Sequence, residues 1–210
     1  MKGLFIKDIK SIWKAIIVCM AMMLLGYPIS IYMGLGEEEL NSIIFFVADL
    51  IIVCGIIPAT TLTDDYRYGF IKYAKILPIS KKAVIGTKYI LSFIIEVIFV
   101  LEGIIMAYIT SNQAVDNLWW IMYVVFPFGL VINGLLLFCI TKFGTEHGAF
   151  TSIILIALLV AIMAICAYLD SNYDLVRIVS DNRVWILISG LVLYAISFFA
   201  TTKVYINKEY

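Results

Sequence analysis

The chain has 210 residues, of which 63% are hydrophobic and only 14% charged. A soluble domain carries roughly a quarter charged residues, so this composition excludes an ordinary water-soluble fold and makes lipid the natural solvent. Lysine and arginine total 15 against 15 acids, and this zero net charge excludes a basic nucleic-acid binder.

The chain opens with an amphipathic stretch over residues 1–14. Phe5, Ile9, Ile12 and Trp13 recur at helical spacing, and Lys7, Lys10 and Lys14 take the opposite stripe. That pattern predicts an elbow helix lying flat in the interface, apolar face down, with its lysines toward anionic headgroups. The apolar run that follows is too long for a signal peptide and lacks a small-x-small cleavage pattern, so it reads as a retained first span.

A bilayer core of about 30 Å needs about 20 apolar helical residues. Six windows meet this: Ala15–Leu35, Leu40–Thr63, Lys88–Ser111, Leu118–Thr141, Ala149–Leu169 and Val184–Thr202. Their runs are continuously apolar rather than alternating, which predicts an all-α membrane protein and not a barrel. The whole chain reads as a single transmembrane domain, with residues 64–87 as its longest segment outside the membrane.

Six spans place both termini on one side. With the termini inside, all 15 basic residues except Arg177 and Arg183 fall on that side, which the positive-inside rule makes cytoplasmic. The outer loops are acidic instead, at Glu37, Glu38, Glu39, Asp116, Asp170, Asp174 and Asp181. Trp13, Tyr32, Trp119, Trp120 and Trp185 stand near span ends, where amphipathic rings favour the interface.

In the segment at 64–87, Tyr66, Phe70, Tyr73 and Leu77 fall at helical spacing and form one face, with Arg67, Lys72 and Lys75 away from its centre. Pro78 breaks that helix, and Ser80 is placed to cap the next one ahead of Lys81 and Lys82. Large apolar side chains on a short cytoplasmic helix need a cover of lipid or protein. The two lysines at a helix N-terminus oppose its dipole, which directs them to headgroups or a partner.

Inside the spans, Asp49, Glu96 and Glu102 are the groups that lipid penalises, at about 3 kcal/mol each on insertion scales. Glu96 and Glu102 lie about 120° apart on a helix, which excludes a paired-carboxylate catalytic centre there. Three states are compatible with them: protonated packing groups, partners of Asn133, or a lining of a water-filled path. Pro58 and Pro127 predict kinks in spans two and four. Cys19, Cys54, Cys139 and Cys166 sit singly in apolar runs and read as packing residues, and His147 as a loop residue. No phosphate loop, nucleophile–base pair or H-E-x-x-H helix occurs, so the chain reads as non-catalytic.

The order of parts resembles the permease subunits of ABC type-2 exporters: an amphipathic N-terminal helix, two spans, a basic cytoplasmic segment and four more spans. The resemblance is sharpest at Asp65, Gly69, Leu77-Pro78-Ile79-Ser80-Lys81 and Lys88-Tyr89. It implies that the Tyr66–Leu77 helix is a coupling helix, with Tyr66, Arg67, Phe70, Tyr73, Leu77, Pro78 and Lys81 meeting a separate ATP-binding subunit. ATP and magnesium would then reside on two copies of that partner, with no cofactor on this chain. A second permease chain, identical or different, would complete the pathway, with Asp49, Glu96, Glu102 and Asn133 as its polar groups. Many family members carry a re-entrant hairpin before the last span. Here that segment is the short polar stretch Asp170–Arg183, and the small size is more similar to Gram-positive bacterial permeases for peptide export or peptide resistance. The resemblance thus implies a plasma-membrane exporter of amphipathic peptides, a use that intramembrane carboxylates suit. Two other readings stand beside it: a proton-coupled secondary transporter working through Glu96, Glu102 or Asp49, and a non-transporting immunity or sensor subunit.

Overall fold

The computed structural model describes residues 2–32, 57, 59–70, 73, 80–110, 121–145, 150, 151, 154, 157 and 181–208, and every regular element among them is helical. Helix α1 is Lys2–Tyr32, α2 is described over 59–67, and α3 is Lys81–Thr110. A π-helical turn, Ile121–Val125, leads into α4, Phe126–Phe143, and α5 is Arg183–Asn207. Most of the expected fifth and second spans, Asp49, Pro58, Leu77, Pro78, His147, Cys54, Cys166 and the acidic loop residues other than Asp181 lie outside the described residues.

Among the described residues, three stretches are long and apolar enough to cross a membrane: Lys81–Ile105, Met122–Phe143 and Arg183–Asn207. α4 packs along α5, and α3 touches α1, α4 and α5. α5 shows why lipid is the solvent. Its buried residues are Gly190, Thr201, Thr202 and Tyr205, whereas Val184, Leu193, Ile196 and Phe199 are exposed. Small and hydroxylic residues face the protein and aliphatic ones face outward, which in water would be an inverted helix but suits packing within lipid.

Two features of the N-terminal region differ from expectation. The elbow and the first span form one uninterrupted helix, roughly 46 Å long at 1.5 Å per residue. Its protein-facing stripe is Leu4, Asp8 and Ile12, one turn apart each, while Ile9 and Trp13 are exposed. The face counted as a single apolar stripe is therefore split: Ile12 and Phe5 pack into the bundle, and Ile9 and Trp13 are left for lipid. An acidic residue lies on the buried side because α3 supplies its counter-charge.

The helix expected to run from Tyr66 to Leu77 is divided. α2 carries Tyr66 and Arg67 to its end, and the chain then turns at Tyr68-Gly69. Gly69 has φ +69°, and its N–H donates to the Tyr66 carbonyl at 3.2 Å. That left-handed conformation is the usual glycine stop of a helix. A new helical turn begins beyond it, where the Tyr73 N–H reaches the Gly69 carbonyl at 3.4 Å. Ser80 Oγ accepts the Ala83 N–H at 3.2 Å and caps α3. α3 begins at Lys81, a full two turns ahead of the start expected for the third span.

Pro127 sits in the first turn of α4. It has no N–H for the carbonyl four residues back, and its ring would crowd that carbonyl. The wider turn at Ile121–Val125 absorbs the mismatch. α5 then crosses close to Pro127 at Gly190. A Cβ there would lie 3.0 Å from Pro127 Cα and 3.1 Å from its carbonyl oxygen. Gly134 of α4 likewise faces Ser197 and Tyr194 of α5.

Two apolar clusters hold the described bundle. One joins Ile12, Ile57, Leu91, Ile95, Phe99, Val100 and Val125. The other, nearer the basic end, joins Leu4, Leu62, Val84, Ile85, Tyr89, Leu137, Ile140 and Tyr205. Tyr89 is also a polar hub. Its hydroxyl lies 2.9 Å from Ser197 Oγ, 2.7 Å from Thr201 Oγ1 and 3.2 Å from the Gly134 carbonyl, and the Tyr194 hydroxyl donates to the Tyr89 carbonyl at 2.7 Å.

Candidate functional site

Two polar constellations stand out: an ionic cluster at the basic end, where α1, α2 and α3 meet, and a carboxyl–amide pair within the bundle.

The cluster centres on Lys88, which is 1% exposed although it carries a charge. Its Nζ lies 2.7 Å from Asp8 Oδ1 on α1, 2.7 Å from Asp65 Oδ2 on α2 and 3.3 Å from the Thr61 carbonyl on α2. The ammonium donates hydrogen bonds to Asp8 and to the Thr61 carbonyl, and forms an ion pair with Asp65. Asp8 and Asp65 are themselves buried, at 1% and 4% exposure. Lys7 completes the charge balance: it pairs with Asp65 and lies 3.3 Å from Asp8. Ser11 Oγ donates to Asp64 Oδ2 at 3.1 Å and adds a second tie between α1 and α2. Two cations thus face two buried carboxylates, the arrangement that makes burial of charge tolerable.

The segment beyond Gly69 leaves from this cluster. The Lys7 ammonium lies 3.7 Å from the centre of the Phe70 ring, which fastens the residue after the Gly69 turn to α1. Beside it is an open cleft of about 310 Å³ whose walls include Asp64, Tyr68, Phe70 and Tyr73. Tyr68 and Tyr73 are 73% and 65% exposed, and Arg67 is exposed too. Tyr66 points the other way: it packs on the cluster around Leu62 and Tyr89, and its hydroxyl donates to the Thr141 carbonyl at 3.4 Å.

The basic residues at the neighbouring helix ends act as caps. Lys81 Nζ donates to the Ile206 carbonyl in the last turn of α5 at 3.0 Å. Lys208 Nζ donates to the Thr141 carbonyl at the end of α4 at 2.9 Å. Cations at helix C-termini satisfy orphan carbonyls and meet the negative end of the dipole. The position of Lys81 at its own helix's N-terminus is therefore offset by the C-terminus of α5. Burial pushes the Lys208 ammonium below the usual lysine range.

Within the bundle, the Asn133 amide of α4 donates to Glu96 Oε2 of α3 at 2.9 Å, and both residues are fully buried. The other carboxylate oxygen lies over Gly129, where any Cβ would collide with it. A side chain shorter than every other is what lets the carboxyl lie flat on α4. Glu102 is buried as well, and neither of its oxygens has a hydrogen-bond partner among the described residues. Among the described residues no group of His, Cys, Asp and Glu is placed to hold a metal ion.

Tyr66, Arg67, Phe70, Tyr73 and Lys81 are thus all near one end of the bundle, but they do not share one helical face. Asp8 and Lys88 were not singled out by spacing. Asp8 is the only acid among the lysines of the first fourteen residues, and it lies on the Leu4–Ile12 stripe. That pairing of one acid with a helix's apolar side is the signal that marks it.

The family model for ABC-2 family transporter proteins matches residues 3–206. The chain belongs to that family. No curated protein and no solved structure matches it. Membership makes this ABC-2 chain a multi-pass membrane protein of the permease kind, a membrane transport subunit, and implies association with an ABC ATP-binding subunit.

Proposed function

We propose that this ABC-2 chain is the permease subunit of an ATP-driven exporter. It would have six spans, cytoplasmic termini and a dimeric pathway, and would be driven by a separate subunit that carries ATP and magnesium. The observation that carries this reading is the family match over residues 3–206. The exposed side chains of Arg67 and Tyr73 beside an open cleft support a docking face there. In this reading Tyr66, Arg67, Phe70, Tyr73, Leu77, Pro78 and Lys81 form the coupling region in two roles. Arg67 and Tyr73 meet the ATP-binding subunit, while Tyr66, Phe70 and Lys81 fix the region to the bundle. Asp49, Glu96, Glu102 and Asn133 are the polar groups of the pathway, and amphipathic cationic peptides are the substrate class that carboxylates suit. The match does not favour the proton-coupled alternative.

The test is co-purification of an ABC ATPase with this chain from its native membrane. Tyr73→Asp should release the ATPase while the permease still elutes as a single species. Phe70→Asp should also release it, at a cost in stability, because it removes the ring under Lys7. Full retention of the ATPase by Tyr73→Asp would overturn this assignment of the docking face, and a wild-type chain with which no ABC ATPase co-purifies would overturn the exporter reading.

A further inference from the structure

We infer that Lys88 is a positioning residue that makes α1, the end of α2 and the head of α3 move as one body, so that a push on the segment after Gly69 reaches the first and third spans together. The push itself rests on the proposed docking of an ATP-binding subunit; the one-body claim does not.

The argument begins with where the ammonium sits. Nothing in the apolar clusters demands a lysine at position 88, and its neighbours Ile85 and Leu91 are buried aliphatics. Its partners come from two other segments: Asp8 on α1, and on α2 the Asp65 carboxylate as an ion pair and the Thr61 carbonyl as an acceptor. Displacing α2 would part Asp65 from both lysines, and displacing α3 would leave two buried carboxylates sharing Lys7. Displacing α1 would break the Lys88–Asp8 and Lys7–Asp65 pairs. Each of these is less favourable than sliding one apolar face over another. An apolar contact yields gradually, whereas this one holds or breaks.

The cluster also lies next to the segment on which a docked ATPase would push. Asp65 is separated from the Gly69 turn by Tyr66, Arg67 and Tyr68, and Lys7 bridges from Asp65 to the Phe70 ring beyond the turn. A displacement of Phe70 and Tyr73 therefore acts first on the ion cluster. The contacts between α3 and α5 at this end are of another kind: hydroxyl hydrogen bonds from Tyr89 to Ser197 and Thr201 and the Lys81 cap on Ile206. The Lys81 cap is solvent-exposed, and the Tyr89 bonds join uncharged groups, so parting them strands no buried charge. The geometry thus places the stiff joint among α1, α2 and α3 and the softer one between α3 and α5.

The experiment uses the full chain in lipid nanodiscs, in a cysteine-free background, with spin labels at the exposed positions Ile9 on α1 and Ile90 on α3. Pulsed electron–electron double resonance reads the width of their distance distribution. The variant is Lys88→Met with Asp8→Leu, which removes one charge of each sign and keeps the Lys7–Asp65 pair. Lys88→Gln with Asp8→Asn replaces it if the apolar pair does not fold. The wild type should give one narrow distance and the folded variant a distribution at least twice as broad. An unchanged narrow distribution in a folded variant overturns the inference, whatever the ATPase does. A second label pair, Ile90 and Phe199 on α5, is then read with the ATPase bound, with and without ATP and vanadate. Nucleotide should shift this distance in the wild type, with loss of the shift in the variant; a shift of wild-type size in the variant overturns the transmission role. If the wild-type permease binds no ATPase, the exporter reading falls and the first label pair still decides the one-body claim.

Discussion

Lys88 Nζ of α3 and Asp65 Oδ2 of α2 lie 2.7 Å apart, both withdrawn from solvent. The pair ties α2 to α3 at the base of the segment that joins them and brings Asp8 of α1 into the same cluster.

Removing the lysine alone should be worse than removing a balanced pair. Lys88→Met leaves Asp8 and Asp65 buried with only the half-exposed Lys7, and stripping one partner from a buried ion pair costs about 3–5 kcal/mol. Thermal stability in detergent, read by fluorescence-detected size exclusion, should fall sharply for Lys88→Met. Lys88→Met with Asp8→Leu should recover most of the loss. Equal losses in both would show that the charges are not what matters.

Gly129 and Glu96 should be energetically coupled. A methyl at 129 collides with the Glu96 carboxyl, so Gly129→Ala should destabilise the wild type by about 1–3 kcal/mol, the usual range for overpacking. In a Glu96→Ala background the same change should be nearly neutral. A double-mutant cycle checks this; additive effects would mean that the carboxyl does not lie over Gly129.

Gly190 is limited by backbone rather than by a movable side chain. Its missing Cβ would press on Pro127 Cα and carbonyl, so Gly190→Ala should separate α4 from α5 in a way that Gly86→Ala should not, since nothing lies within 4 Å of a Cβ at Gly86. Thermal midpoints of the two variants give the comparison, and similar values would count against this crossing.

Gly69 is limited by conformation alone, because a Cβ there meets nothing within 4 Å while φ is +69°. Gly69→Ala should cost about 1–2 kcal/mol, the left-handed penalty of an L-residue. Gly69→Asn should cost less, since asparagine visits this region more readily. In the complete exporter both should weaken ATPase retention in the same order. A gentler effect for alanine than for asparagine would argue against the turn.

The membrane environment and helical class were legible in the sequence because they depend on composition and run length, which are local properties. So was the Ser80 cap, for its bond closes within one turn. The break at Gly69 lay within reach of the same local reasoning, but the helical spacing of Tyr66, Phe70, Tyr73 and Leu77 masked it. Spacing reports which residues would share a face if the helix continued, and glycine at φ +69° ends it first.

The sequence by itself determined that this chain lives in lipid, that its elements are helices, and that basic residues gather toward one end, since hydropathy, backbone hydrogen bonding and charge count act on each segment alone. Only the tertiary structure decided that Asp8 faces inward, that Lys88 serves three segments, that Asn133 meets Glu96, and that Gly129 and Gly190 mark the closest approaches. Those facts depend on how helices distant in sequence are set against one another, and a buried charge or a missing Cβ acquires its meaning from the neighbour that packing supplies.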